Sequence, residues 1–298
     1  MTGNGNPGDS IDVAFVGRAN IDLTIRVPHR SRPGRTAIGS ALSASAGGKS
    51  LNQAIATARR GGRAALIANV GADAWGQQIA AALTDAGVDT RHVRRIPDTT
   101  TGAAIIEVTP DGESYITLAL SPATELTAHD IHHATAGLAT RAVVAQLDLP
   151  PEPVTALLGH RRAPVVIGNL VPHPNLDPAV LRHLDVLVVN QHEAAAILHT
   201  STENPLDAAT ALQRLGPHIV VVTAGPHGAA YTHPHGSGTY PAPTVAVVDT
   251  TGAGDAFLGS LALDLARHTP LPDAITTAVH AGSHTAQHAG AHIAHHTP

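Results

Sequence analysis

The chain contains no cysteine, a single lysine and an aromatic content of only 2%. Without cysteine, neither disulfides nor thiolate metal sites can hold the fold, and cysteine usage says nothing decisive about the compartment. Lysine and arginine number 18 against 23 acidic residues, and the formal net charge is -5. Because no basic face is broad enough to follow a phosphate backbone, we expect no nucleic-acid partner.

Long hydrophobic runs are lacking as well. No segment approaches the roughly 20 apolar residues of a membrane-spanning helix, and residues 1–10 are polar and glycine-rich, unlike a secretory signal. We therefore expect a cytoplasmic protein without a membrane partner. At 298 residues and 43% hydrophobic content, the chain suits one large α/β domain.

Short apolar runs alternate with longer helical patterns along the chain. This alternation predicts a doubly wound, mostly parallel sheet flanked by helices. The runs that read as strands are 11–17, 64–70, 143–147, 165–168, 186–189 and 219–223.

Two segments interrupt the alternation. Residues 22–45 are rich in Thr, Ser and Pro, and in residues 100–121 the turn Pro110-Asp111-Gly112 separates the β-like runs 103–108 and 115–120. The second pattern is typical of a β-hairpin. We predict one domain, 1–298, with a small β-sheet lid built from 22–45 and 100–121.

The most informative stretch runs from Asp249 to Phe257, a glycine-spaced turn that ends in Asp255 and leads into a helix predicted over 256–267. The glycines let backbone N–H groups converge at the helix N-terminus, where unpaired donors and the helix dipole favour phosphate. Asp255 would repel that phosphate unless it accepts a proton from an attacking hydroxyl, which indicates phosphoryl transfer. Taken alone, Asp255 equally fits a simple helix cap. Asp249 places a second carboxylate beside the same turn.

Polar residues also follow the first predicted strand. Asn20 and Asp22 lie where the carboxyl ends of strands collect ligands in doubly wound sheets. An amide and a carboxylate together suit a polyol. A polar strand exit with an Asx turn is the structural alternative.

The string Gly47-Gly48-Lys49-Ser50 opens a helix predicted over 51–60. A Walker A reading is weak, because position 43 is Ser43 where that motif requires glycine. Lys49 is the only lysine in a chain that otherwise uses arginine, and the two are not equivalent where a compact ammonium is needed. Chance survival of one lysine remains open, as does a plain glycine turn with Asn52 on the surface.

Two further patterns follow later strands. Asn190 and Glu193 fit a helix start with an Asn N-cap and an acid three residues on, close to a capping box. Thr223, Gly225 and Gly228 lie in a hairpin-like turn between strand 219–223 and another β-like run.

The run from Asp249 to Asp255 resembles, nearly letter for letter, the D-T-x-G-A-G-D signature of the ribokinase-like (PfkB) carbohydrate and nucleoside kinases. The N-x-D, G-G-K-x-x-N, N-x-x-E and T-x-G-x-x-G patterns stand in the family's order, over about positions 11–292. The resemblance implies the ribokinase-like fold with its β-sheet lid, and ATP as the phosphoryl donor.

The resemblance also implies a role for each matching position. Asp255 would be the catalytic base, and the amides of Gly252, Ala253 and Gly254 would form the anion hole. The implied sugar contacts are Asn20, Asp22, Gly48, Lys49, Asn52, Asp148 and Asp255. The implied nucleotide contacts are Asn190, Thr223, Gly225, Gly228, Gly254 and His280. At Asp148 ribokinases tend to have Glu, so the carboxylate is retracted by one methylene, which leaves a different or bulkier substrate open.

Metal ions are implied in the same way. Glu193 matches the residue that organises Mg²⁺ and its waters, and few carboxylates with many waters are how Mg²⁺ usually binds. Asp249, Thr251 and Gly290 match a monovalent-cation site for K⁺, but the polar residue expected a few positions later is Ala294, so K⁺ activation stays open. The stripe His280, His284, His288 and His292 fits either a transition-metal site or compositional bias.

The predicted reaction is transfer of the ATP γ-phosphoryl group to a hydroxymethyl of a small sugar, with D-ribose as the leading substrate. A fructokinase or a nucleoside kinase of the same family remains an alternative, and so does a non-catalytic sugar or nucleotide sensor. The edges of the lid could pair two subunits, so a homodimer is a further hypothesis.

Overall fold

The computed structural model describes residues 10–40, 42–111, 113–159, 163–169, 177–200 and 203–291. Its strands are β1 Ile11–Val16, β2 Asn20–Arg26, β3 Ser43–Gly47, β4 Ala64–Gly71, β5 Val93–Ile96, β6 Ala103–Val108, β7 Ser114–Ala119, β8 Thr140–Gln146, β9 Val165–Asn169, β10 Val186–Asn190, β11 Ile219–Thr223, β12 Ala229–His233 and β13 Gly236–Tyr240. Its helices are α1 Lys49–Arg59, α2 Ala74–Asp85, α3 Ala128–Thr135, α4 Pro151–Gly159, α5 Gln191–Leu198, α6 Pro205–Gln213, α7 Ala253–Ala266 and α8 Leu271–Thr285.

Nine strands form a large sheet in the order β13-β12-β11-β10-β9-β8-β1-β4-β5. Its strands are parallel from β11 to β5, and only β12 and β13 run antiparallel to their neighbours. The predicted doubly wound sheet is confirmed. The chain builds outward from β1 to β4 and β5 and then returns to the other side of β1 with β8. The boundary between β1 and β8 is therefore the switch point, where such sheets open a ligand crevice.

Both faces of the large sheet are buried, which explains why its strands read as continuous apolar runs. Side chains alternate between two cores: Val13 and Phe15 face one, and Ala14 and Val16 face the other. The first core is completed by α1, α2, α7 and α8, and the second by α3, α4, α5 and α6. No helix in the described ranges is long and apolar enough to cross a membrane.

Four strands form a separate small sheet in the order β3-β2-β6-β7. Strands β6 and β7 are the predicted hairpin, with Ala103 opposite Ala119 and Val108 opposite Ser114. Strand β2 pairs with β6 in parallel and with β3 in antiparallel orientation. Because β2 begins at Asn20, the small sheet starts two residues before the predicted boundary at position 22 and carries Asn20 and Asp22 itself.

Two predicted helix starts need correction. The helix predicted from position 51 begins at Lys49, and that predicted from 256 begins at Ala253. In both cases a glycine with positive φ acts as the N-cap, Gly48 at 99° and Gly252 at 77°. The left-handed conformation that glycine permits turns the chain directly into the helix, so the polar residues after each glycine are helical.

Candidate functional site

The predicted site residues collect at the carboxyl ends of the parallel strands. Asn20 and Asp22 follow β1, Asp148 follows β8, and Asn190 and Thr223 end β10 and β11 as register partners. Helices α1 and α7 bring their N-terminal turns to the same edge. The switch point between β1 and β8 lies within this cluster.

Asn20 and Asp22 lie on the same face of β2, as the two-residue period of a strand requires. The Asn20 amide donates to Asp22 Oδ1 at 2.7 Å. A Cβ on Gly47 would lie 2.1 Å from Asp22 Oδ2, and one on Gly48 would lie 2.8 Å from Asn20 Oδ1. The two glycines are therefore needed so that both side chains can lie against the loop before α1.

Helix α1 presents two amide side chains to this cluster. Asn52 Nδ2 donates to Asp255 Oδ2 at 3.1 Å, and Gln53 Nε2 donates to Asp255 Oδ1 at 3.0 Å. Gln53 also donates to Asn169 Oδ1 at 3.2 Å. The predicted base is thus held by an amide on each oxygen.

Close packing of α1 against α7 makes these hydrogen bonds possible. Thr57 Oγ1 donates to the Gly259 carbonyl at 2.9 Å. A Cβ on Gly259 would lie 2.6 Å from the Gln53 carbonyl oxygen, so only glycine allows this approach.

The turn before α7 is open on its ligand side. The N–H groups of Gly252 and Gly254 find no acceptor within the described residues, whereas Ala253 N–H donates to Thr250 O at 3.2 Å. That bond weakens the prediction for Ala253, because its N–H is partly engaged inside the turn and is less available to an anion. The turn is also tied to the end of the chain, because Asp249 accepts from Thr251 N–H and Gly290 N–H, both at 2.9 Å.

Asp148 takes part in an ion cluster that motif reasoning missed. Arg18 donates to Asp148 Oδ2 at 2.8 Å and to both oxygens of Glu125 at 2.7 and 2.9 Å. Among the described residues, Asp148 Oδ1 is buried without a hydrogen-bond partner, and so is Asn52 Oδ1. Both orphaned atoms belong to predicted sugar contacts.

Asn190 and Glu193 form the predicted capping box of α5. Asn190 Oδ1 accepts from Glu193 N–H, and Glu193 Oε2 accepts from Asn190 N–H, both at 2.9 Å. Glu193 is buried. Within the described residues, no three acidic or histidine side chains gather into a direct metal cage.

The loop from Thr223 to Gly228 joins β11 to β12 as a hairpin. Gly225 and Gly228 both have positive φ, and a Cβ on Gly228 would lie 1.9 Å from Tyr240 O. His280 is exposed on α8, and its ring makes no hydrogen bond with the described residues. Of the histidine stripe, His292 lies outside the described residues, as does Ala294.

The electrostatics of the cluster centre on Lys49. Burial raises the pKa of Asp255, and the charge of Lys49 and the amides of Asn52 and Gln53 counteract this. Burial likewise raises the pKa of Asp148 and of Glu193, again against the charge of Lys49. Lys49 is therefore a positive charge that acts on all three carboxylates.

Asp22 and Asp249 differ in the direction of their shifts. Burial and the nearby Asp255 raise the pKa of Asp22 above its usual value, although the Asn20 amide opposes them. Burial also acts to raise the pKa of Asp249, but the hydrogen bonds from Thr251 and Gly290 outweigh it and lower the pKa.

A doubly wound sheet, an open glycine turn and a carboxylate held beside it are together compatible with the class of small-molecule kinases. The particular family follows from comparison with known proteins. The family model described as pfkB family carbohydrate kinase matches residues 10–298. The chain belongs to this family of carbohydrate kinases.

Individual relatives agree with the family assignment. The ribokinase of Schizosaccharomyces pombe is 31% identical over 291 residues, covering 92% of each chain. The crystal structure of ribokinase from Cryptococcus neoformans var. grubii, in complex with ADP, is 31% identical, with a TM-score of 0.76 over 95% of this chain and 96% of that one. The ribokinase structure from Thermotoga maritima, at 24% identity, supports the fold, with a TM-score of 0.82 over 94% of each chain.

Proposed function

We propose that this carbohydrate kinase transfers the γ-phosphoryl group of ATP to the hydroxymethyl group of D-ribose. Family membership supports the sugar-kinase activity, and relatives named ribokinase at about 30% identity support ribose. The observation that carries the mechanism is Asp255 at the open start of α7, held by Asn52 and Gln53 next to the polar pair of β2.

The sugar would bind among Asn20, Asp22, the Gly48 backbone, Lys49, Asn52 and Asp148. A buried polar atom without a partner costs about 1–3 kcal/mol, so the orphaned Asn52 Oδ1 and Asp148 Oδ1 favour a ligand that donates hydrogen bonds to both. Sugar hydroxyl groups are such donors.

Asp255 would accept the proton of the hydroxymethyl group while its oxygen attacks the γ-phosphorus and ADP departs. A raised pKa strengthens the carboxylate as a base, and the charge of Lys49 limits the rise that burial causes. The unpaired N–H groups of Gly252 and Gly254 would receive the charge that develops on the transferring group, with Ala253 N–H contributing once it leaves Thr250 O.

ATP would lie along the strand ends beyond the turn. Asn190 and Thr223 are adjacent in the sheet, and the glycine loop at 225 and 228 keeps side chains out of this space. His280 would border the adenine from the exposed face of α8.

Mg²⁺ fits Glu193 as a ligand reached through water. Glu193 Oε2 is engaged by its own N-cap, and the charges of Asp255 and Asp148 act on its carboxylate, so the three acids provide a negative field without a closed cage. When bound, Mg²⁺ would neutralise the phosphate oxygens during transfer.

A monovalent cation at Asp249, Thr251 and Gly290 is a finer proposal. Asp249 already joins the last two by hydrogen bonds, and each carboxylate oxygen keeps a further lone pair for K⁺. Replacing K⁺ by tetramethylammonium at constant ionic strength should lower kcat; unchanged activity would argue against the site.

We also propose that the small sheet is a lid and pairs two subunits. Leu118 and Ile116 of β7 share the Asp22 face of the small sheet and are more than half exposed. Exposed apolar side chains that lie side by side on one face favour burial against a second copy. Sedimentation that shows only monomer at micromolar concentration would remove the dimer.

A nucleoside acceptor is less well supported. Stacking of a base needs a free aromatic ring on the lid, and the ring of Tyr115 is covered by the Arg30 guanidinium at 4.5 Å. ADP formation should be measured with D-ribose, D-fructose, 2-deoxy-D-ribose and adenosine. The highest kcat/KM with ribose is expected; a preference for another acceptor would replace ribose, and no turnover with any would favour a sensor.

A further inference from the structure

Arg18 occupies an unusual place between the two sheets. It lies between β1 and β2, where the chain enters the small sheet. Glu125 lies where the chain leaves the small sheet, after β7, and Asp148 follows β8 at the floor of the sugar site. Arg18, Glu125 and Asp148 form what we call the Arg18 triad, which joins two of the connections between the sheets to the floor of the sugar site.

Four hydrogen bonds hold the guanidinium within the triad. Nε and Nη2 bind the two oxygens of Glu125, Nη1 binds Asp148 Oδ2 at 2.8 Å, and Nη2 also donates to the Asp148 carbonyl at 3.2 Å. The three side chains are 13–19% exposed. Such a planar fork fixes the direction as well as the distance of each carboxylate.

This arrangement leaves the two oxygens of Asp148 in different states. Oδ2 is held by Arg18, whereas Oδ1 is buried and has no partner in the part of the chain that the structure describes. The Asp148 side chain is short and extends only a little way into the site. Its two oxygens belong to one carboxylate, so the contact that holds Oδ2 also sets the position of Oδ1. The positive charge of the same guanidinium opposes the rise that burial causes in the pKa of Asp148.

We propose that Arg18 is a positioning residue that sets sugar selectivity by fixing Asp148 so that Oδ1 accepts a hydrogen bond from one particular sugar hydroxyl. The inference rests on the proposed sugar-kinase function. Glu125 gives Arg18 its orientation, so selectivity also depends on the connection through which the chain leaves the small sheet.

The test compares D-ribose with its singly deoxygenated analogues in the wild type, Arg18→Met and Asp148→Asn. In the wild type, the analogue that lacks the paired hydroxyl should have a KM about 10- to 100-fold above that of ribose, the range expected for a hydrogen bond to a buried charge. In both variants, the KM for ribose should rise toward that of this analogue, while kcat changes less than about threefold, because the effect lies in binding.

Three readouts separate positioning from general damage. The double variant Arg18→Met/Asp148→Asn should be no worse than Asp148→Asn alone, because both act on one hydrogen bond. In Arg18→Met the pKa of Asp148 should rise further, so the KM for ribose should worsen with falling pH sooner than in the wild type. Arg18→Lys should restore part of the selectivity, since it keeps the charge but not the fork.

Arg267→Met provides the matched control, because Arg267 pairs with Asp12 at 3.0 Å at the opposite end of β1. It should leave the selectivity unchanged. If Arg18→Met lowers kcat/KM equally for ribose and every analogue, or leaves the selectivity intact, the inference is wrong. If Arg18→Met does not fold, Arg18→Lys and Glu125→Gln decide: undiminished selectivity in both overturns the proposal. A wild type that phosphorylates no sugar refutes the proposed function instead.

Discussion

Helices α5 and α7 both begin at the edge of the large sheet with an acid in the first turn, yet the two acids are used in opposite ways. Glu193 of α5 binds the N–H of its own N-cap, Asn190, and closes the helix start. Asp255 of α7 binds amide side chains of another helix, and its own turn stays open behind Gly252. A closed start stabilises a helix locally, whereas an open one leaves N–H groups for a ligand.

The difference has a chemical consequence. The Glu193 carboxylate is partly spent on the capping box, so its remaining capacity suits a cation reached through water. Among the described residues, the Asp255 carboxylate is held by the Asn52 and Gln53 amides, which fix its direction, and burial raises its pKa above that of an ordinary aspartate. Under the proposed mechanism, the comparison fits charge balance at α5 and proton transfer at α7.

The sharpest way to break this comparison is Asp255→Asn. Removing a positioned general base typically lowers turnover by about 10²- to 10⁴-fold, while binding of ribose by calorimetry should persist because Asn keeps the shape and part of the hydrogen bonding. Asp273→Asn, which alters an exposed acid in the first turn of α8, is the control and should turn over normally. If Asp255→Asn turned over at a rate near that of the wild type, Asp255 would not be the catalytic base.

The variant Glu193→Gln tests the second acid of the comparison, at the start of α5. Gln can still accept from Asn190 N–H, so thermal unfolding should stay close to the wild type, but loss of the charge should raise the Mg²⁺ concentration for half-maximal rate by about 10- to 100-fold, as for other residues that orient a metal's surroundings. Glu193→Ala should add a loss of about 1 kcal/mol in stability, because the capping box is broken as well. An unchanged Mg²⁺ requirement in both variants would leave Glu193 a purely structural cap.

These contrasts show which part of the site could be predicted from sequence. The strands, the glycine turns and the capping box depend on neighbours along the chain, and the sequence patterns at 249–255 and 190–193 indicated them. The starts of α1 and α7 were misplaced because a glycine with positive φ brings polar residues into a helix that apolar periodicity alone cannot detect.

A different reason explains why the sequence did not predict Gln53, Asn169 and Arg18. Gln53 reaches Asp255 across 202 positions, and Arg18 reaches Glu125 and Asp148 across 107 and 130. Such contacts depend on how α1 packs on α7 and where the chain enters the small sheet, and no local pattern encodes either. The available signal was Gln53 itself, which follows the predicted sugar contact Asn52 in the sequence. A glutamine that is buried beside such a residue requires hydrogen-bond partners.

Gln53→Met sharpens the role of the missed residue. Asp255 Oδ1 would lose its donor, so the pKa of Asp255 should rise further above its usual value. The carboxylate must be deprotonated to act as a base, so the acid limb of the kcat/KM profile should move to higher pH. At pH values on that limb, kcat/KM should fall about tenfold, as expected for loss of a hydrogen bond to a charged group. Gln213→Met, at a hydrogen-bonded glutamine of α6, should leave the pH profile unchanged. An unshifted acid limb in Gln53→Met would show that Asn52 alone sets the basicity of Asp255.

The smallest expected effect concerns the packing that lets α7 borrow donors from α1. In Gly259→Ala the new Cβ would meet the Gln53 carbonyl oxygen at 2.6 Å, so the helices must separate slightly. Overpacking of this kind costs about 1–3 kcal/mol, and kcat should fall a few-fold because Asn52 and Gln53 retreat from Asp255. Gly159→Ala at the end of α4 meets nothing within 4 Å and is the control for a helical glycine. If Gly259→Ala loses stability but keeps the kcat and the acid limb of the wild type, then Asn52 and Gln53 stay bonded to Asp255 as the helices shift. The basicity of Asp255 would then not depend on close packing of α1 against α7.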